Sequence, residues 1–95
     1  MATKKKNVSR NALVVGNAVL IRTVTHYHTG RVVEVGATFV VLEDAAWIAD
    51  TGRLSSALNK GEVSEVEPFP GDVTVMIGSV VDATLWTHAL PRAVK

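Results

Sequence analysis

The sequence predicts a mainly β domain, a small and strongly bent antiparallel barrel that carries one short inserted helix and an extended N-terminal arm. Two features of composition point there: Val is the commonest apolar residue in a chain that is 47% hydrophobic, and seven glycines and three prolines punctuate the apolar runs. Such a chain reads as strands joined by tight turns. The third observation is size. Five or six short strands in 95 residues cannot bury both faces of a flat sheet, whereas a curled sheet encloses one Val/Ile/Leu core and leaves few exposed edges. One domain with a single core is what a chain of this length supports.

Residues 1–16 read as the arm. Lys4, Lys5, Lys6 and Arg10 make its basic half, and Ala12, Leu13, Val14 and Val15 form an apolar half that closes at Gly16. The body, residues 17–86, opens with a β-branched strand from 17 to 27. His28, Thr29 and Gly30 then read as a turn. Strands at 31–35 and 38–43 follow, separated by Gly36 and Ala37, where glycine can supply a positive φ. The result is a three-stranded antiparallel meander. Residues 45–49 continue or bend the third strand, with Trp47 expected to be buried against the sheet.

Asp50 reads as the N-cap of a short helix over 51–59, since a carboxylate can accept the free amides of a first turn. Leu54, Ala57 and Leu58 share one side of that helix, and Gly61 is placed to end it. A short edge strand at 63–66 precedes a rigid loop at 67–72 containing Pro68 and Pro70. Two last strands, 73–77 and 79–85, turn at Gly78. Residues 87–95 form a tail without periodicity.

The near-neutral total charge of +1 hides an asymmetry. The first ten residues hold four Lys/Arg and no acid, while the remainder holds six Lys/Arg against nine Asp/Glu. A basic arm joined to an acidic body suggests a segment that reaches for a neighbour. The arm could also touch nucleic-acid phosphates without sequence preference. It lacks interleaved aromatics, and the body is acidic, so nucleic acid is expected at most through the arm. The chain has no Cys, which removes disulfides, thiolate zinc sites and cysteine nucleophiles. Neither a signal peptide nor an apolar run of about 20 residues is present, so neither export nor a membrane is expected.

Several constellations can be weighed for chemistry. His26 and His28 stand two apart on a strand and could share an ion, with His88 a distant third; the reading favours a solvent-facing polar pair, and no metal or cofactor is expected. Glu43 and Asp44, adjacent on a strand, should face opposite sides and so fail to act as an acid–base pair. A hydrolase built on His26, His28 and Asp44 is therefore set aside, and no catalytic residue is assigned. Arg22 and Arg53 could clamp an anion, and with His26 and Tyr27 they make the candidate ligand set. The reading that weighs against this pairs Arg53 with Asp50 or Glu43. Trp47, Trp86 and Phe69 read as core or interface anchors.

Two resemblances bear on these expectations. The stretch Val19-Leu20-Ile21-Arg22, Thr29-Gly30-Arg31-Val32-Val33-Glu34-Val35 and Phe39-Val40-Val41-Leu42-Glu43-Asp44 resembles the three-strand half of an Sm-like or SH3-like small barrel. Val75-Met76-Ile77-Gly78-Ser79-Val80-Val81 is similar to its closing half. Sm-like proteins begin with a helix, whereas this chain places its helix between the halves. The Asp and Asn with which that family contacts RNA have no counterparts in the first hairpin. The second resemblance is to small bacteriophage-encoded proteins, carried by Leu42-Glu43-Asp44-Ala45-Ala46-Trp47-Ile48-Ala49-Asp50-Thr51-Gly52-Arg53, Glu65-Val66-Glu67-Pro68-Phe69-Pro70 and Val81-Asp82-Ala83-Thr84.

Together these lead to the expectation of a non-enzymatic phage assembly protein, a head auxiliary or cement-type component found in the virion or the host cytoplasm. It would be a homo-oligomer, with other virion proteins as further partners, and Lys4, Lys5, Lys6, Arg10, Leu13, Val14 and Val15 would contact adjacent subunits. The alternative is an Sm-like ring or sponge that holds RNA or a nucleotide at subunit junctions through Arg22, Arg53, His26 and Tyr27.

Overall fold

The computed structural model describes residues 10–95. It is a mainly β structure with one α-helix, built from the strands β1 (Ala18–Thr23), β2 (Tyr27–Val35), β3 (Phe39–Asp50), β4 (Glu65–Pro68), β5 (Val73–Met76) and β6 (Val80–Leu85). The helix α1 (Leu54–Lys60) lies between β3 and β4, and one turn of 3₁₀ helix, Ile77–Ser79, joins β5 to β6. All pairings are antiparallel, in the order β4-β3-β2-β1-β6, with β5 also on β3. The meander β1-β2-β3 is therefore as the sequence predicts. Among the described residues no strand pairing joins β6 to β4 or β5, so the sheet curls without closing.

Strand β3 organises this arrangement. One of its edges pairs with β2 along most of its length, while the other pairs first with β5 through Phe39–Leu42 and then with β4 from Ala46 to Asp50. Between the two halves Asp44 has φ +50°, the one non-glycine residue with positive φ among those described. The pairing shifts by one residue there: Thr29 opposes Ala46 but Arg31 opposes Glu43, so Asp44 and Ala45 together face Gly30. An extra residue of this kind is a β-bulge, which bends the strand and exchanges the faces of everything after it.

The consequence is visible in the packing. Before the bulge Val40 and Leu42 point into a first buried cluster with Val19, Ile21, Val32 and Val75. After it Ala46 and Ile48, at the same even parity, point into a second cluster with Leu20, Ala57, Val66 and Trp86. The sheet thus carries a core on each face. The first lies inside the curl, and the second lies beneath α1 and the C-terminal segment, whose Leu90 packs on it.

Several local expectations are corrected. The first turn lies at residues 24–26, not at His28–Gly30, because Thr23 closes it: its N–H and hydroxyl both donate to His26 O (2.8 Å each), and its Oγ1 accepts from His26 N. Gly30 sits within β2 because the bulge crowds it; a Cβ there would lie 2.9 Å from Leu42 Cβ and 3.3 Å from Ala45 Cβ. Asp50 does not cap the helix. Its Oδ1 accepts from Gly52 N (2.8 Å), and α1 starts later, with Arg53 at the N-cap and no side-chain cap. Gly61 does end the helix, at φ +73° with its N–H donating to Ala57 O.

The arm and tail are also shorter than the sequence suggests. Ala12 and Leu13 pack on the first cluster, and Gly16 N donates to Val32 O, so the body begins before residue 17. Leu13 is thereby engaged by its own chain, while Val14 and Val15 remain exposed. The C-terminal residues fold back: Lys95 exchanges both backbone hydrogen bonds with Val66 on the outer edge of β4, and Arg92 donates to Ala45 O and Phe69 O. No helix among the described residues is long and apolar enough to cross a membrane.

Two tests follow from this packing. Gly30→Ala should destabilise the fold by about 1–3 kcal/mol in urea denaturation, because the new methyl overpacks a backbone-set gap; unchanged stability would show that the bulge relaxes freely. Trp47 is 39% exposed, not buried as the sequence suggests, and Trp86 is 4% exposed, so the two should differ sharply: Trp86→Ala is expected to cost about 3–5 kcal/mol, and Trp47→Ala much less.

Candidate binding site

The tight turn between β1 and β2 carries Thr25 and His26 to the mouth of the first cluster. His28 follows on β2, paired with Ile21 on one side and Trp47 on the other, so it shares the face of the curl with them. Opposite stand Thr74, Val75 and Met76 of β5 and Ser79 of the 3₁₀ turn. These residues, with Thr23 and Val24, line an open hollow of about 420 Å³. Its size and its mix of apolar wall and convergent polar groups suit a small ligand.

The rings form a cluster at one side of this hollow. The His26 and His28 centroids are 4.8 Å apart with planes tilted by 56°. Trp47 meets His26 edge-on at 5.5 Å, and Phe69 stacks on His28 at 5.9 Å. Phe69 is held by its N–H to Ala45 O and by Arg92 on its own carbonyl. The expected solvent-facing histidine pair is therefore corrected: His26 is half-buried, and His28 is only 8% exposed. His26 Nδ1 is hydrogen-bonded to Thr25 Oγ1 at 2.7 Å. By contrast His28 Nδ1 is buried without a partner. Thr29 Oγ1 is also buried and unpaired, on the opposite face of β2 and so outside the hollow.

Burial pushes the His28 imidazole toward its neutral form, and the neighbouring His26 adds to the effect. His26 and His28 are the only titratable groups that line the hollow among the described residues. No three of His, Asp and Glu converge as a metal cluster among those residues.

The four residues proposed as one ligand set are distributed over three places. His26 belongs to the hollow above. Arg22 and Tyr27, partners across β1 and β2, line a second hollow of about 360 Å³ with Leu20, Leu54 and Leu58. There Arg22 is engaged by Asp82, with Nε to Oδ2 at 3.1 Å, which raises the guanidinium pKa and lowers that of the carboxyl. Arg53 lines a third hollow of about 240 Å³ with Glu62, Ser56 and Ser64. It makes no ion pair with Asp50 or Glu43. A single nucleotide-sized site through all four residues is not formed.

Glu43 and Asp44 also depart from expectation, since the positive φ of Asp44 turns both carboxylates toward Arg31, whose Nη1 reaches them at 3.0 and 2.9 Å. Strand alternation hid this pair of contacts. The basic run Lys4, Lys5 and Lys6 lies outside the described residues, and Arg10 is exposed.

The His28 environment gives a pH dependence of definite sign. The ordinary imidazole pKa of 6.5 applies to the unfolded chain, and the folded value is lower. Above the unfolded pKa both states are neutral, and His28 contributes full stability. As pH falls below it, the unfolded state binds a proton that the folded state resists, so stability declines until the folded pKa is passed. Urea titrations between about pH 7.5 and 5 should show this fall, and His28→Gln should reduce it; an equal slope in the variant would assign it elsewhere.

Compared with known proteins, the chain matches no protein-family model and no curated protein.

Proposed function

We propose that the protein is a non-enzymatic bacteriophage structural protein, an auxiliary or cement-type component that joins neighbouring copies through its sheet edge and basic N-terminal arm. The observation that carries this reading is the outer edge of β6. Among the described residues β6 has no strand neighbour beyond β1, and it exposes Val81 at 55% and Leu85 at 53%. It contains neither Lys nor Pro, the residues with which solitary edges are commonly blunted. At the other end of the sheet the β4 edge is occupied by Lys95 of the same chain. The β4 edge is thus covered by its own chain, whereas the β6 edge is open to main-chain pairing.

A second copy of β6 fits such an edge. Antiparallel pairing about a two-fold axis between Asp82 and Ala83 sets Val80 against Leu85 and keeps the two Asp82 carboxylates from lying directly opposite. The opposite charges of the first ten residues and the body supply a longer-range attraction between copies. The phage setting, and the virion partners that go with it, rest on the sequence resemblance through residues 42–53, 65–70 and 81–84.

Light scattering after gel filtration tests the reading. The full chain should run as a defined oligomer; Val81→Lys with Leu85→Lys should dissociate it, and removal of residues 1–9 should weaken it in a salt-dependent way. A full-length chain that stays monomeric across concentration and salt would overturn the proposal.

A further inference from the structure

Three features of the first hollow remain without a role in assembly: two imidazoles held close together, a buried ring nitrogen with no partner, and a hydroxyl that fixes one ring. His26 and His28 come from the same turn and strand start, with ring centroids 4.8 Å apart. A metal–nitrogen bond of about 2.0–2.1 Å puts an ion roughly 3.2 Å from each ring centroid, so two imidazoles on one ion stand about 4.5 Å apart at a right angle and about 5.2 Å apart at the tetrahedral angle. The observed separation falls between these limits, and with planes tilted by 56° the rings do not stack.

Hydrogen bonding leaves one nitrogen of each ring available. When Nδ1–H of His26 donates to Thr25 Oγ1, at 2.7 Å, Nε2 carries the lone pair; such a fixed tautomer is the usual support of a ligating histidine. The Nδ1 of His28, on a side chain more than nine-tenths buried, has no partner in the chain, and a buried ring nitrogen normally has one. A half-turn of the ring presents either nitrogen to the hollow. Met76 also lines the space, and water can complete the coordination. No Lys or Arg lines it, so an anion would meet no permanent positive charge.

We infer that His26 and His28 form a two-histidine site for a first-row transition-metal ion of the zinc or copper type, with Thr25 as the positioning residue for His26. Two protein donors make a site that samples available metal reversibly and is distinct from a buried structural centre. Imidazole ligation suits both ions.

Titration calorimetry of the full chain, prepared without an affinity tag and stripped with a chelator, tests this with Zn²⁺ and with Cu²⁺ alone. At about pH 7.5 one equivalent should bind, and acidification to about pH 5.5 should release it as protons compete for the ligands. The imidazole resonances of His26 and His28 should shift together in NMR spectra, while those of His88, which faces Leu58 O, stay in place. His26→Ala should weaken binding at least about tenfold, and Thr25→Val by about tenfold, both with unchanged melting temperature in the absence of metal. His26→Ala spares the buried His28, so the test does not depend on a variant that fails to fold. Equal affinity in wild type and His26→Ala, no binding at about tenfold metal excess, or affinity that increases on acidification would each overturn the assignment.

Discussion

The rest of the structure depends on the one-residue bulge in β3. A regular strand has a strict period of two, so a twelve-residue strand would present one set of side chains to one side throughout. The positive φ of Asp44 breaks that period, and the strand serves two cores in succession. The same exchange lets one edge accept β5 and then β4. Two groups hold the bulge in place. Arg31 gathers the Glu43 and Asp44 carboxylates on the outside, and Gly30 gives way on the inside, where a Cβ would strike Leu42 and Ala45. Asp tolerates the left-handed region better than most residues, which fits its place here.

The histidine hollow is a product of the same geometry. Beyond the bulge Trp47 falls on the face of Ala45, which turns it toward His26 and His28. Phe69 closes the other side of His28, and its backbone is tied to Ala45 at the bulge itself. Arg92 then bridges the Ala45 and Phe69 carbonyls from the C-terminal segment. The last residues of the chain thus support a site formed by the first turn of the sheet. The rings are held by packing and by the Thr25 hydroxyl, while Nδ1 of His28 remains unsatisfied, a combination suited to binding and poorly suited to a merely structural aromatic cluster.

The β4 and β6 edges differ in what covers them. After Leu85 the chain turns at Trp86, whose indole N–H donates to Ala89 O, crosses the second cluster and reaches β4, where Lys95 pairs with Val66. Nothing among the described residues serves β6 in the same way. An assembly reading and a metal-binding reading do not compete for surface residues: the open edge is made by β6, and the histidines belong to the β1–β2 turn and β2. Met76 and Ser79 reach the hollow from the segment just before β6, so the two features are adjacent without sharing a residue.

The class of fold is legible in the residues alone. β-branched runs, glycine and proline punctuation and chain length sufficed for a bent antiparallel sheet, the β1-β2-β3 meander, one helix ended by Gly61 and two closing strands, because these depend on local propensity and period. The sequence could not locate the bulge: Gly30 reads as a turn residue until the facing pair Asp44 and Ala45 is known, and Glu43 and Asp44 read as opposed until the backbone flips between them. Nor could it assign Leu13, Phe69, Arg92 and Lys95, whose partners are remote in sequence. His26 and His28 were legible as a pair by spacing alone, but their burial, their tilt and the unpartnered nitrogen come from Ile21, Trp47, Phe69 and β5 meeting around them. These features emerge on folding, because a side chain's environment is set by long-range packing, while its periodicity is set by its neighbours in the chain.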